Sequence, residues 1–158
     1  MIRETIIITQ PPEGPVHIAP MGVHDLGEEF LIMPFRPSTT LDNLLASRCA
    51  VVNYTDDVRI FAGCLTGRRN WPLVDAEQIR GKRLANALAH AELKLTRIEE
   101  DQQRPRLYCS VLNEVNHAPF AASTGHSHPF WKPPSWSAGC GCCRGKRSAR
   151  KSTICASA

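Results

Sequence analysis

Six short apolar runs, each bounded by proline, glycine or polar residues, succeed one another through the first 120 residues. The first, residues 2–9, is mostly β-branched and ends at the turn sequence Pro11-Pro12-Glu13-Gly14. The others cover residues 16–22, 29–33, 48–54, 86–96 and 106–112. Runs of this length and composition are typical of β-strands. Because Pro20 has no N–H for a ladder, we expect the second strand to end or bulge there.

Two short helices are predicted among these strands. Leucines recur at helical spacing just after a Ser-Thr-Thr sequence: Leu41, Leu44 and Leu45. A helix therefore begins close to residues 38–40, where Ser or Thr can cap it and Asp42, three residues after Thr39, can complete a capping box. Asp56 or Asp57 can cap a second helix over residues 58–65. With the residues from 86 to 112 as an antiparallel hairpin, the chain is mainly β, and a small barrel with helical insertions is expected.

The chain changes character after residue 120. Residues 1–120 hold 13 Lys and Arg against 15 Asp and Glu, whereas residues 121–158 hold six basic residues and no acid. Ile154 is the only Ile, Leu or Val of this tail. A segment of this composition cannot bury enough apolar surface to offset its ordering entropy. We therefore divide the chain into a folding domain, 1–120, and an unpatterned basic tail rich in Cys, Ser and Pro, 121–158.

Three interpretations of the tail are open. The abrupt break favours sequence never selected to fold, such as the translation of a shifted reading frame. A zinc site could use the tail's histidines and cysteines, although Cys-x-Cys-Cys lacks the usual two-residue gap: His126, His128, Cys140, Cys142 and Cys143. A basic arm over residues 144–151 could bind nucleic acid or a membrane surface. The acidic main body gives no sign of a nucleic-acid partner.

The cysteine content and the hydropathy pattern bear on the compartment. Seven cysteines are an odd number, and the first residues do not resemble a secretory signal, so a disulfide framework is not expected. No run of about 20 apolar residues is present that could span a membrane. These features predict a protein of the reducing cytoplasm, with no membrane partner.

Two motifs together resemble a known family. They are Ala19-Pro20-Met21-Gly22 and Pro34-Phe35-Arg36-Pro37-Ser38-Thr39-Thr40-Leu41-Asp42-Asn43-Leu44. Over about residues 2–120 the chain is similar to the uncharacterised archaeal and bacterial branch of the flavin-reductase-like, FMN-binding split-barrel proteins. The resemblance implies a split β-barrel that forms a homodimer with FMN at its interface. After Phe120 the chain departs from that family, whose members continue into a long helix.

The resemblance also implies which residues hold the cofactor. The FMN phosphate would lie at the first helix's N-terminus, where free N–H groups and the helix dipole favour an anion. The residues for this contact are Arg36, Ser38, Thr39, Thr40 and Asn43, and Asn43 could reach the ribityl hydroxyls instead of the phosphate. From the residues alone, the Ser-Thr-Thr sequence is better explained as a simple helix cap, and Arg36 could be a solvated surface charge.

Three further residues would line the flavin ring: Ala19, Met21 and Gly22. Gly22 would allow close backbone approach, although a turn glycine and core packing of Met21 are alternative explanations. His90 and Glu92 share one strand face, and a hydrogen-bonded structural pair is expected there in preference to a metal site. No pattern identifies a catalytic side chain.

The function implied is an FMN-binding, flavin-reductase-like protein that passes hydride or electrons through the flavin, with a reduced nicotinamide nucleotide as a possible donor. One alternative is a flavin carrier or sensor that catalyses no reaction. Another is an inactive product, because the missing C-terminal helix covers the barrel in similar proteins. A zinc-binding or nucleic-acid-binding protein that acts through its tail is a third.

Overall fold

A computed structural model describes residues 1–119 of the chain. Its elements, in chain order, are β1 (Ile2–Thr9), β2 (His17–Asp25), β3 (Glu29–Ile32), α1 (Thr39–Ser47), β4 (Cys49–Tyr54), α2 (Val58–Leu65), β5 (Leu73–Asp75), β6 (Lys82–Leu84), β7 (Ala89–Glu99) and β8 (Arg106–Asn116). The tail, with the three interpretations given above, lies outside the described residues. Among residues 1–119, no helix has the length and apolarity needed to cross a membrane.

Six strands close into a barrel in the order β1-β2-β3-β8-β7-β4, and every neighbouring pair whose register is assigned is antiparallel. The predicted mainly β class, the small barrel, its two short helices and the β7–β8 hairpin are thereby confirmed. Strands β5 and β6 form a separate two-stranded sheet that no sequence pattern predicted. Each of them has three residues, which is too short for a periodic pattern to be recognised.

The barrel interior is filled from alternate positions of its strands. Ile7, Val52, Leu93 and Leu107 are completely buried in one apolar cluster. Leu41 and Leu44 of α1 belong to the same cluster, so the apolar face of this helix packs into the barrel. Strand side chains alternate between two faces, and this inward set is what positions α1.

A second apolar cluster covers the outer face of β1 and β4. Ile6, Ile8 and Val51 point outward and pack with Ile60 of α2 and Leu84 of β6. Strand β1 is therefore buried on both faces over its second half, which explains why this run is continuously β-branched and not alternating.

Strand β2 passes through Pro20 without interruption, so the predicted end or bulge at this residue is wrong. Its register with β1 is continuous from Ile2 opposite His24 to Thr9 opposite His17. On its other side, β2 pairs with β3 only from Val23 to Asp25. Pro20 therefore lies where the strand has one neighbour only, and proline is tolerated at such an edge.

Both helices begin at side-chain caps. Ser38 is the N-cap of α1, and its Oγ accepts a hydrogen bond of 3.3 Å from the Leu41 N–H. Because the cap is Ser38 and not Thr39, Asp42 does not occupy the capping-box position that we expected. At α2 the cap is Asp57, one of the two predicted residues, and its Oδ1 accepts from the Arg59 N–H at 3.0 Å.

Candidate functional site

The N-terminus of α1 carries backbone donors that the helix does not use. The first intrahelical bond runs from the Asp42 N–H to the Ser38 carbonyl, at 3.1 Å, and the Leu41 N–H is taken by the Ser38 hydroxyl. The N–H groups of Thr39 and Thr40 lie at the very start of the helix, where no preceding helical carbonyl is available to accept a hydrogen bond from them. Together with the helix dipole, these two donors form a place where an anion is stabilised.

The two threonines differ in accessibility. Thr39 is exposed, so its hydroxyl is open to a ligand, whereas Thr40 is 2% exposed and packs into the protein. Of the Ser-Thr-Thr sequence, Ser38 thus has a capping role, Thr39 is accessible, and the Thr40 side chain is buried.

Arg36 lies two residues before the cap, in the loop between β3 and α1. Its backbone N–H donates to the Gln103 carbonyl at 2.9 Å, which ties this loop to the loop between β7 and β8. Its guanidinium forms an ion pair with Glu100, and the two side chains are 40% and 69% exposed. An exposed pair of this kind contributes little to stability, so Arg36 can exchange Glu100 for another anion at small cost.

Asn43 is committed to the protein through its amide nitrogen. It is 8% exposed, and its Nδ2 donates to the Thr9 hydroxyl at 3.2 Å. This bond joins α1 to the end of β1. The hydrogen bond to Thr9 therefore positions the helix and uses one of the two N–H donors of the Asn43 amide.

On β2 the side chains of Ala19 and Met21 and the backbone groups of Pro20 and Gly22 point in different directions. Ala19 lies opposite Ile7, which points into the barrel, and Met21 packs against the same interior cluster. Both side chains thus face the barrel interior. The Ile18 carbonyl points to the other edge of β2, because it accepts a hydrogen bond from the Arg69 guanidinium. By the alternation of an antiparallel strand, the backbone groups of Pro20 and Gly22 point to this edge also, where β3 has not yet begun to pair.

Gly22 has a packing explanation of its own. A Cβ at this position would lie 3.2 Å from Cγ2 of Ile2 and 3.4 Å from Oε1 of Glu4. The absence of a side chain leaves room for both β1 residues and also leaves the backbone accessible at the β2 edge. The structure thus places Gly22 on the outer face, with Ala19 and Met21 on the inner one.

A buried polar cluster was only partly predicted. His90 and Glu92 are both completely buried, and His90 Nε2 lies 3.3 Å from Glu92 Oε1, as expected of a hydrogen-bonded pair. The structure adds His117, whose Nε2 is 2.9 Å from His90 Nδ1. No local pattern could reveal this third member, because it is the pairing of β7 with β8 that brings His117 to His90.

A cleft of about 220 Å³ opens beside α2. Trp71 forms one wall, with the Arg68 guanidinium 4.3 Å from the centre of its ring. Gly63 makes room for the indole, since a Cβ there would lie 2.5 Å from Trp71. The cleft is thus built by packing of the Trp71 loop on α2. Within residues 1–119, no group of three or more His, Cys, Asp or Glu side chains is placed to hold a metal ion.

The sequence matches one family model over residues 3–118, described as the N-terminal domain of a protein of unknown function, DUF447. None of the curated protein sequences matches the chain.

Several solved structures share the fold. An FMN-bound protein of the same family from Methanosarcina mazei superposes with a TM-score of 0.63 at 22% identity, covering 73% of this chain and 61% of that one. The 2-nitrobenzoate 2-nitroreductase of Pseudomonas fluorescens superposes with a TM-score of 0.59 at 18% identity, covering 72% of this chain and 64% of that one. A Shewanella frigidimarina protein with a split barrel domain of flavin-reductase type superposes with a TM-score of 0.63 at 11% identity, covering 72% of this chain and 66% of that one. The chain thus spans less than two thirds of the first two proteins, and the fold is that of the split-barrel proteins.

Proposed function

Since the chain belongs to the DUF447 family and has the split-barrel fold of flavin-reductase-like proteins, we propose that it is a flavoprotein that binds FMN. The observation that carries this proposal is the anion site at the start of α1. The Thr39 and Thr40 backbone donors, the exposed Thr39 hydroxyl and the Arg36 guanidinium lie within five consecutive residues there. A phosphate dianion satisfies all of these groups at once.

The remaining parts of the cofactor would contact the edge of β2. The Pro20 carbonyl and the Gly22 N–H face the edge of β2 before its paired stretch with β3 begins, and these are suitable partners for the polar rim of a flavin ring. Asn43 contributes by holding α1 against Thr9, so that the phosphate donors stay in place. Ala19 and Met21 would support the edge from inside the barrel.

When bound, FMN would supply the hydride or electron transfer, as cofactors do in general. The protein's own contribution is binding and orientation. We extend the proposal to a homodimer with FMN at its interface and to a reduced nicotinamide nucleotide as donor. Large apolar side chains support the dimer, because they are exposed in the single chain: Ile2, Leu26, Phe35 and Leu112.

The proposal also places the protein in the cytoplasm. The three cysteines among the described residues, Cys49, Cys64 and Cys109, are free thiols. A reducing compartment maintains cysteines in this state.

The first experiment measures FMN retention. The purified full chain is mixed with FMN and desalted, and we expect a visible flavin spectrum with close to one FMN per chain. Arg36→Ala should lose most of this flavin. Arg97→Ala is the matched control, because Arg97 is also an exposed arginine paired with a glutamate, Glu99, but belongs to β7 and not to the loop before α1. A folded protein that retains no flavin, or equal retention by both variants, would contradict the proposal.

A second experiment separates an enzyme from a carrier. Reduced nicotinamide nucleotide is added without oxygen to the flavin-loaded protein, and loss of the flavin absorbance is followed. Bleaching faster than that of free FMN supports a reductase. Retained flavin with no such rate favours the carrier or sensor.

A further inference from the structure

Glu92, His90 and His117 form a line from the protein interior to its surface. Glu92 and His90 are completely buried on β7, whereas His117 follows the end of β8 and is exposed. The two imidazole rings are nearly parallel, with 5° between their planes, and His90 Nδ1 lies 2.9 Å from His117 Nε2. The other nitrogen of His90 faces Glu92 at 3.3 Å. Each group thus contacts the next through a single hydrogen bond.

Glu92 is a carboxylate in this arrangement. Three consecutive backbone N–H groups, of Glu77, Gln78 and Ile79, donate to its oxygens at 2.8, 2.7 and 3.0 Å, and Asn113 donates at 3.3 Å. Burial by itself raises the pKa of this group, but these donors, together with His90, lower it below its ordinary value. A carboxylate that accepts several N–H bonds remains ionised.

The charge on Glu92 determines the tautomers of both histidines. An ionised carboxylate only accepts hydrogen bonds, so His90 Nε2 must carry a proton. In the neutral ring, His90 Nδ1 is then an acceptor, and the facing His117 Nε2 must be the donor. The remaining nitrogen of His117, Nδ1, is left with a lone pair. Both N–H donors therefore point inward, from His117 at the surface to His90 and from His90 to the buried Glu92 carboxylate.

We propose that Glu92, His90 and His117 are a proton relay, in which His117 exchanges protons with a weak acid at the surface and His90 stores them beside Glu92. His117 Nδ1 accepts the proton from the acid, which leaves as its conjugate base. The Nε2 proton of His117 passes to His90 Nδ1. His117 is then neutral again, and His90 is an imidazolium in contact with the Glu92 carboxylate. Release is the reverse of these transfers.

The surroundings of His117 favour the unprotonated ring as the resting state. Burial, the Arg83 guanidinium of β6 and His90 lower the pKa of His117, and the Glu77 carboxylate acts in the opposite direction. Around the relay, the groups on neighbouring elements are Glu77 before β6, Arg83 on β6 and Asn113 on β8. His117 is therefore neutral at neutral pH and its Nδ1 keeps a lone pair that can receive a proton, whereas the carboxylate that stabilises the proton lies two groups further in.

The test is a nitrogen NMR titration of the full chain, which reports the protonation of each imidazole nitrogen and needs no flavin. At high pH we expect both rings as Nε2–H tautomers. The first proton should move the resonance of His90 Nδ1, and both rings should titrate over the same pH range, since the proton belongs to the pair. Movement of His117 alone, or Nδ1–H tautomers at high pH, would overturn the proposal.

Two variants and a control test the direction of the transfer. In His90→Gln the proton must stay on His117, where it has no contact with the Glu92 carboxylate. Loss of that contact should outweigh the removal of the opposing effect of His90 on His117, so the proton affinity of the site should fall about tenfold, which is one pKa unit. Glu92→Gln should lower the proton affinity likewise. If the Glu92 variant unfolds, His90→Gln decides alone, since His90→Gln leaves the hydrogen bonds from Glu77, Gln78 and Ile79 to Glu92 intact. His24→Gln removes an imidazole outside the relay and should change nothing. An unaltered titration in His90→Gln would show that there is no relay, whether or not FMN binds.

Discussion

The Asn43 amide donates a hydrogen bond of 3.2 Å to the Thr9 hydroxyl, and both side chains are buried where α1 meets the end of β1. The bond joins residues that are 34 positions apart. It fixes the helix whose N-terminus forms the proposed phosphate site, so the stability of this contact and the binding of FMN should be coupled.

Asn43→Ala should lower the free energy of unfolding by about 1–3 kcal/mol, because the Thr9 hydroxyl loses its buried partner. Thr9→Val should cost a similar amount, and the double variant less than the sum of the two. Urea unfolding of all four proteins measures the coupling. Additive losses would show that the hydrogen bond does not contribute.

Ser38→Ala removes the cap of α1. The Leu41 N–H then loses its acceptor, and the free energy of unfolding should fall by about 1 kcal/mol. FMN retention should fall in the same variant, since the first turn of the helix frays. Ser47→Ala, at the other end of the helix, is a comparison in which retention should be preserved. Loss of flavin in both would indicate general damage to α1.

Glu100→Gln should strengthen FMN binding. Glu100 is the anion that now pairs with Arg36, and a neutral glutamine competes less with phosphate for the guanidinium. We expect an affinity several-fold higher at low salt, measured by fluorescence titration with FMN. The gain should shrink as salt is added, because the pair is exposed. No change in affinity would mean that Arg36 does not contact the phosphate.

Tyr54 should make the protein sensitive to alkali. Burial, followed by the nearby Glu114, raises its pKa from 10 to about 12. The unfolded chain therefore loses this proton at lower pH than the folded chain does, and stability falls as the pH rises from about 10 towards 12. At pH 11 the loss should be about 1.4 kcal/mol. Urea unfolding at pH 8 and pH 11 should show a smaller difference for Tyr54→Phe than for the wild type.

Cys109 should resist thiol reagents in the folded protein. Burial raises the pKa of its thiol to about 12, and only the thiolate reacts. Alkylation at pH 8 followed by peptide mass spectrometry should therefore find Cys109 unmodified in the native chain and modified in urea. The half-buried Cys49 is the internal comparison, and it should react faster than Cys109. Equal labelling would contradict the buried position of Cys109 in the barrel.

Part of the candidate site was predictable from local sequence. The Ser-Thr-Thr sequence before Leu41 and Leu44 indicates a capped amphipathic helix, and an anion site at its start follows from the unused N–H groups. Accessibility was not predictable, and neither were the pairing of Arg36 with Glu100 and the inward direction of Ala19 and Met21. These depend on which strands become neighbours, and residues 36 and 100 are 64 positions apart.

The sequence by itself determined the six barrel strands, the two helices and the residue types that cap them, because hydrophobic periodicity and capping chemistry act within a few residues. Only the tertiary structure decided that Pro20 lies at an open edge, that β5 and β6 pair, and that His117 reaches His90. In each case closure of the barrel supplies the neighbour. A proline is tolerated or excluded, and a buried histidine is paired or unpaired, according to which distant strand lies beside it, and no local pattern contains that information.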